Sequence, residues 1–340
     1  MYCIYTYDWE LSDATSYYLE IIAEAIRKTG EHVYFSHNIK EISRSNTIVV
    51  INARAFMEVW LRNPRRKIIC WFQGIIPEEV RMTLGDSFRV RLRSYGWSAL
   101  ERFALRHAWR VFFVSEAMRN HYINKYKYRP GKEFIMPCFN LQLDMMAFEY
   151  SGKYEKPTFV YAGGTDAWQC LEETIQLYKK VEEALAGTHL TLLVRDGERV
   201  RKLAKRHGIQ NYSISYVKRT QLNKELEKYK YGFLLRKEHI VNNVATPTKF
   251  NSYLAAGIIP ICTNAIQAFQ ALAMNTEYCI RLPQVDQTVS NATAIVEFER
   301  KNIDPTKIRT DYQRIFDSYY SAPRYIEAIA AMLVAELTNR

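Results

Sequence analysis

A lysine, two prolines and four hydroxyl side chains fall together in the sixteen residues from Thr246 to Ile261, TPTKFNSYLAAGIIPI, and their spacing suits the grip of an anion. Thr246 is a good helix N-cap, and Pro247 fits the first helical position, where its missing N–H removes nothing. Lys249 then falls in the first turn. A cation is disfavoured there, because a helix N-terminus already carries partial positive charge, so helix stability does not account for it. A bound anion would, since exposed backbone N–H groups beside an ammonium are the usual physical answer to a phosphate. Two readings stand open on these residues alone: an anion grip, or a solvated lysine on an ordinary αβ unit.

Other residues with chemical capacity gather at the ends of apolar runs. YGFLLRKE, Tyr231 to Glu238, is a strand pattern that delivers Arg236 and Lys237 at its C-terminal end, where ligands of doubly wound sheets bind. A guanidinium chelates a diphosphate through paired donors, which an ammonium does not do; the alternative is an arginine that reaches into solvent. In the following HIVNNVA, Asn242 and Asn243 either contact ligand hydroxyls or make a turn. Gly163 and Gly164 close the strand that opens YAGGTDAWQCLEETIQLYKKVEEAL, and glycines there let backbone N–H groups approach a phosphate, though a plain βα turn uses them too. Asp166, with Gln169 three residues on, reads as a capping box for the next helix. Arg195 ends a further strand in LLVRDGERV. In the first half, IICWFQGIIPEE turns at Gly74 and leaves Gln73, a side chain that hydrogen-bonds but takes up no proton. Asp8 and Glu10 follow the first strand, either as carboxylates for a second substrate or as helix caps. There is no GxGxxG and no GxxxxGK, which argues against a dinucleotide oxidoreductase and a P-loop enzyme.

These residues need elements to hold them. Strands are expected at Tyr2–Thr6, Thr47–Ile51, Ile68–Phe72, Val111–Val114 and Phe134–Met136, with helices near 14–29, 97–109 and 115–126. The second half repeats the grammar: strands at Thr158–Tyr161, Leu190–Val194, Ser213–Tyr216, Gly232–Leu235 and Ile259–Cys262, and helices near 167–186, 198–207, 221–229 and 247–256. Alternation of this kind predicts parallel sheets covered by helices. Phe139 to Pro157 breaks the pattern with polar, tyrosine-rich sequence and reads as a linker. The division is therefore 1–145, 155–310 and a helical tail at 311–340, with Tyr319, Tyr320, Tyr325, Ile326, Ile329 and Leu333 as its buried stripe.

A chain of 340 residues that is 48% hydrophobic suits two domains with real cores. Its net charge of +11 is uneven: Glu79 to Lys132 holds twelve Lys or Arg against four Asp or Glu. That stretch interleaves Phe88, Tyr95, Trp97 and Phe103 with arginines, which suits either an anionic lipid surface or a solvated helical face over buried aromatics. Nucleic acid is disfavoured, because no reading motif accompanies the charge. No apolar run of eighteen residues and no signal peptide is present, which points to the cytoplasm, at most at the inner face of a membrane. Six cysteines without a CxxC pair and seven histidines without ligand spacing point to reduced thiols and no metal site.

TPTKFNSYLAAGIIPI resembles the pattern S-P-T-K-F-x-E-Y-L-A-x-G-x-P-V-I of bacterial glycosyltransferases of the GT-B fold, those of glycosyltransferase family 4. The strand end YAGG and the junction VFFVSEAM, similar to the family's V-x-x-V-S-E-A-M-K, carry the resemblance further. It implies an α/β GT-B architecture, two Rossmann-like doubly wound parallel-sheet domains facing across a cleft, with the tail helix packed on the N-terminal domain. It also implies transfer of a sugar from a nucleotide-diphosphate donor to a glycan or lipid-linked acceptor in polysaccharide biosynthesis, retaining and without metal or cofactor. Under that resemblance Arg236 and Lys249 are the catalytic cations, and Gly163, Gly164, Arg195, Thr248, Ser252, Asn243 and Gln73 contact the donor. Asp8 and Glu10 stand on the acceptor side. Ser252 replaces the glutamate that the family uses for ribose, and its usual upstream partner falls on Val244. Gly164 and Gln169 stand near the places of a family arginine and lysine.

Overall fold

The structure, a computed structural model, describes residues 1–10, 13–274 and 276–338. It divides into two compact halves: Met1–Asn140 with Val244–Thr246 and Ser321–Arg340, and Leu141–Asn243 with Pro247–Tyr320.

The first half contains β1 (Tyr2–Tyr5), α1 (Asp13–Lys28), β2 (Val33–Ser36), β3 (Thr47–Val50), α2 (Ala53–Arg62), β4 (Ile68–Phe72), α3 (Ile76–Leu84), α4 (Phe88–His107), β5 (Arg110–Phe113), α5 (Glu116–Tyr126) and β6 (Glu133–Ile135). Its sheet runs β2-β1-β3-β4-β5-β6 with every pair parallel. Both faces are covered by helices, so the central strands are apolar without alternation: all five residues of β4, IICWF, are buried. Helix starts follow their capping chemistry. Asn52 accepts from Ala55 N at 2.8 Å to open α2, and Ser115 accepts from Met118 N at 3.0 Å to open α5.

In the second half lie β7 (Thr158–Ala162), α6 (Leu171–Ala184), β8 (His189–Leu193), α7 (Gly197–His207), β9 (Tyr212–Ser215), α8 (Arg219–Leu226), β10 (Tyr231–Leu234), α9 (Ile240–Val244), α10 (Thr248–Ala255), β11 (Ile259–Thr263), α11 (Gln267–Met274), β12 (Ile280–Leu282), α12 (Thr288–Glu299) and α13 (Pro305–Ser318). The sheet order is β12-β11-β10-β7-β8-β9, again all parallel. Pro260 sits at the second position of β11 opposite Gly232, and the β12 ladder begins one residue later at Ile261. Two doubly wound parallel sheets are what the alternation predicts.

Strand β2 and helices α2 and α3 fall outside the expected elements, and two details of the expected division differ. The segment expected as a polar linker is folded: Asp144 caps a 3-10 turn over Met145–Phe148, and Ala147 and Phe148 are buried. Lys153, 2% exposed, donates to Ala147 O at 3.0 Å and to Ala256 O, so it ties the 3-10 turn to the carbonyl that ends α10. The tail also divides later than 310. Helix α13 stays with the second half, where buried Tyr312 donates to Ile258 O at 3.0 Å and Tyr278 O at 2.8 Å. Past it, α14 (Ala322–Thr338) belongs to the first half and packs on α1, with Ile329 and Leu333 buried and Lys28 paired to Glu327 at 2.5 Å.

No helix among the described residues is long and apolar enough to cross a membrane. The six cysteines are free, five of them buried.

Candidate functional site

Strand order in the second half reverses between β7 and β10, the place where a doubly wound sheet leaves a crevice at its strand ends. Four of the residues singled out by sequence meet there. Gly163 follows β7, Arg236 follows β10, and Lys249 lies in the first turn of α10 with Thr248. Gln169, expected in a capping box, joins them instead. Asp166 makes no side-chain cap, α6 starts only at Leu171 after a left-handed Cys170 (φ 50°), and the Gln169 amide is free to turn to the cations.

One oxygen ties the group together. Gln169 Oε1 accepts from Arg236 Nη2 at 3.0 Å and from Lys249 Nζ at 3.3 Å. Arg236 is 4% exposed; its Nη1 donates to Leu235 O at 3.1 Å, and its backbone N–H to Thr263 Oγ1 at 2.9 Å. Neither cation has a carboxylate partner among the described residues. Burial therefore lowers the Arg236 pKa, offset in part by the Tyr161 hydroxyl. Burial, and then the Arg236 charge, hold Lys249 well below the usual lysine range. A desolvated guanidinium and ammonium that repel each other and share a neutral acceptor form a site short of negative charge.

Two tyrosines wall the cations. Lys249 Nζ lies 4.1 Å from the centroid of the Tyr161 ring, whose hydroxyl donates to Gly164 O at 2.6 Å and fixes the glycine loop. Tyr253, one turn beyond Lys249, donates to Phe233 O at 3.1 Å and accepts from Ala162 N at 3.3 Å, which clamps the ends of β7 and β10 together. Gly232 makes room for that ring, since a Cβ there would lie 2.7 Å from it. Gly163 does the same for the lysine: a Cβ would come within 2.8 Å of Lys249 Nζ. Sequence reasoning overlooked both tyrosines. Their signal was a hydroxyl on an otherwise apolar strand and helix face, where burial demands a hydrogen-bond partner.

The remaining residues lie around this centre or apart from it. Pro247, not Thr246, is the cap of α10, and no side chain caps its first amides. The Thr246 hydroxyl instead accepts from Cys138 N at 3.0 Å. Ser252 is buried and donates to Thr248 O at 3.1 Å, so its remaining capacity toward a ligand is as an acceptor. Asn243 donates to Glu238 Oε1 at 2.5 Å, while its own Oδ1 is buried without a partner. Arg195 is exposed past β8, and Lys237 is paired with Glu173. Gly164 abuts Asp166, whose Oδ2 lies 2.9 Å from where a Cβ would stand. Beside this loop a cavity of about 640 Å3 is lined by Thr165, Asp166, Asp196, Arg199, Lys202 and Lys237.

In the first half, Gln73 follows β4, and its Nε2 is buried with no hydrogen-bond partner among the described residues. Asp8 lies beyond β1, exposed, 3.4 Å from His37 Nδ1. The backbone of Glu10 closes the short helical turn that begins at Asp8, but its side chain lies outside the described ones.

No protein-family model and no curated protein sequence matches the chain. Solved structures do. Sucrose-phosphate synthase from Thermosynechococcus elongatus superposes with a TM-score of 0.72 at 11% identity, over 100% of this chain and 99% of that one. WaaG, a glycosyltransferase involved in lipopolysaccharide biosynthesis, gives 0.64 at 12% identity over 97% and 99%. A variant of S. aureus TarM, in complex with Fondaparinux, α-GlcNAc-glycerol and UDP, gives 0.61 at 10% identity over 85% of this chain, which spans 55% of that longer protein. The fold of this chain is the GT-B fold of these glycosyltransferases.

Proposed function

We propose that the chain is a glycosyltransferase that moves a sugar from a nucleotide-diphosphate donor to a glycan or lipid-linked acceptor. The observation that carries this reading is the pair Arg236 and Lys249, a buried guanidinium and a half-buried ammonium without a carboxylate among the described residues, on one amide oxygen at the reversal of strand order. A diphosphate supplies the missing charge. The TarM variant was solved with UDP and WaaG is named a glycosyltransferase, both on this fold, which favours a nucleotide over other anions.

In this reading Arg236 chelates the diphosphate and Lys249 neutralises it, with the uncapped amides at Thr248 and the backbone at Gly163 and Gly164 completing the cradle. The C1–O bond to the diphosphate breaks while the acceptor oxygen attacks the same face of the sugar. The acceptor proton passes to a leaving phosphate oxygen, so configuration is retained and the two cations meet the growing negative charge. That stabilisation is what a metal ion supplies elsewhere. Ser252 and Asn243 accept from donor hydroxyls, and Arg195 approaches the nucleotide. Gln73, Asp8 and Glu10 of the first half serve the sugar and the acceptor.

A lipid-linked acceptor also fits the surface of α3 and α4. Leu84, Phe88, Leu92 and Tyr95 are 53%, 81%, 64% and 72% exposed, beside Arg89 and Arg93. Apolar and aromatic groups interleaved with arginine suit peripheral contact with an anionic membrane. Polysaccharide or lipid-linked glycan assembly at the inner face of a membrane is the corresponding role.

Isothermal titration with a panel of nucleotide-diphosphate sugars, followed by detection of released nucleotide in the presence of acceptor, tests the reading. Unchanged donor turnover in a Lys249→Ala, Arg236→Ala double variant overturns it. Binding without turnover favours a sugar-nucleotide-binding protein instead, a role compatible with Ser252 and Val244 in place of the paired acids.

A further inference from the structure

A buried group of ionisable side chains in the first half lies outside the proposed donor grip. Glu101, on α4, is 1% exposed. Tyr126 donates to its Oε2 at 2.6 Å, and Tyr122 approaches its Oε1 at 3.0 Å. Lys125 Nζ lies 3.6 Å from Oε2 and 2.7 Å from Glu78 Oε1, and His121 Nε2 lies 3.3 Å from that same Glu78 oxygen. Thus α3 presents Glu78, α5 presents His121, Tyr122, Lys125 and Tyr126, and β4 presents the Cys70 thiol, whose pKa is raised by burial and then by the Glu101 charge.

Tyr122 has one proton and two acceptors in reach. Its hydroxyl oxygen lies 3.0 Å from Glu101 Oε1 and 3.3 Å from Gly74 O. Gly74 is the residue after Gln73, and its turn is otherwise held by the Glu79 carboxylate, which accepts from Ile75 N at 3.1 Å. When Glu101 is ionised, both tyrosines donate to it and the Gly74 carbonyl goes without. A neutral Glu101 donates to the Tyr122 oxygen, and the tyrosine proton turns to Gly74 O.

We propose that Glu101 is a positioning residue: its protonation decides whether Tyr122 bonds to Glu101 or to the Gly74 carbonyl, and so whether the turn carrying Gln73 is locked. The position of Gln73 matters to catalysis through the donor-sugar contact assigned above, so the kinetic part of this inference rests on that reading. The proton switch itself does not. Burial raises the Glu101 carboxyl to about 7, opposed by Tyr126, Lys125 and Tyr122, so both states are populated near neutrality.

The test uses the full chain, wild type, Glu101→Gln and Tyr122→Phe. Glutamine keeps the shape and donates from Nε2 at every pH, as neutral Glu101 would; phenylalanine removes both bonds. The carbonyl carbon shift of Gly74, followed by NMR from pH 5 to 9, is expected to titrate in wild type with a midpoint near 7. It should stay at the low-pH wild-type value in Glu101→Gln and be flat at another value in Tyr122→Phe. A flat wild-type signal, or the wild-type midpoint surviving in Glu101→Gln, overturns the switch. In kinetics, wild-type kcat/KM for donor should fall severalfold as pH rises through that midpoint, and Glu101→Gln should hold the low-pH value. An equal pH profile in the two proteins overturns the positioning role. Absence of any transfer in wild type instead overturns the function proposed above, and the NMR titration still decides the switch.

Discussion

Lys249 occupies the space that a side chain at Gly163 would fill. A Cβ at Gly163 would sit 2.8 Å from Nζ and 3.0 Å from Cε of the lysine. Both atoms are the far end of a flexible side chain, so alanine at Gly163 displaces the ammonium, and at φ +158° it also strains the backbone. Gly163→Ala is expected to weaken nucleotide-diphosphate binding by about tenfold, or ~1.4 kcal/mol. Gly187→Ala is the control. Gly187 has φ +76° and nothing within 4 Å, so alanine there costs stability through backbone strain of about 1 to 2 kcal/mol and should leave the affinity alone. Calorimetric titration of both variants with the nucleotide diphosphate separates the two effects; equal affinities would sink the argument.

Gln169 offers a second lever, because its oxygen serves both cations without neutralising either. Gln169→Glu places a carboxylate at the same atoms, 3.0 Å from Arg236 and 3.3 Å from Lys249 in the present geometry. An internal anion satisfies the buried charges, so the melting temperature should rise by a few degrees while donor KM rises tenfold or more. Stability and function would then move in opposite directions. If both fell, Gln169 would be a packing residue only.

The site could be read from sequence where local rules apply, and was missed where partners are distant in the chain. Pro247 before Lys249, the glycines at the end of β7 and the arginine at the end of β10 are short-range signals, and they meet as the doubly wound order requires. Gln169 was misplaced because Asp-x-x-Gln also spells a capping box, and only Arg236 and Lys249, 67 and 80 residues away, decide against it. Phe139 to Pro157 looked polar, yet Lys153 and Tyr154 turn to the carbonyls of Ala256 and Gly257, contacts 103 residues apart. Strand β2 escaped notice for another reason: only Ser36 of its four residues is buried, so VYFS carries no core pattern.

Lys153 makes a prediction about stability rather than activity. Burial lowers its pKa from 10.5 to about 7 in the folded chain. Between those values the unfolded chain binds a proton that the folded chain does not, so stability rises with pH across that window and is flat in this respect below 7. Lys153→Met removes the titration and should flatten that part of the profile. Urea midpoints of both proteins measured at pH 7, 8 and 9 check it: the wild-type midpoint should climb relative to the variant. A constant difference would show that Lys153 is charged throughout.

Lys249 couples proton uptake to the ligand. Its ammonium is destabilised by burial and by Arg236, so the free protein loses that proton well below the ordinary lysine value. A diphosphate beside it favours the charged form and pulls the pKa back up. Binding above the free-protein pKa must then take up a proton, and affinity must fall as pH rises through it. Titrations of nucleoside diphosphate in buffers of different ionisation enthalpy, at matched pH, read the uptake directly. Up to one proton per site is expected in wild type and none in Lys249→Met, which should also bind at least tenfold more weakly. Arg236→Lys should retain uptake while losing affinity, because a second ammonium supplies charge without the paired donors of the guanidinium. The same uptake in Lys249→Met as in wild type would move the proton to another group and remove Lys249 from the anion grip.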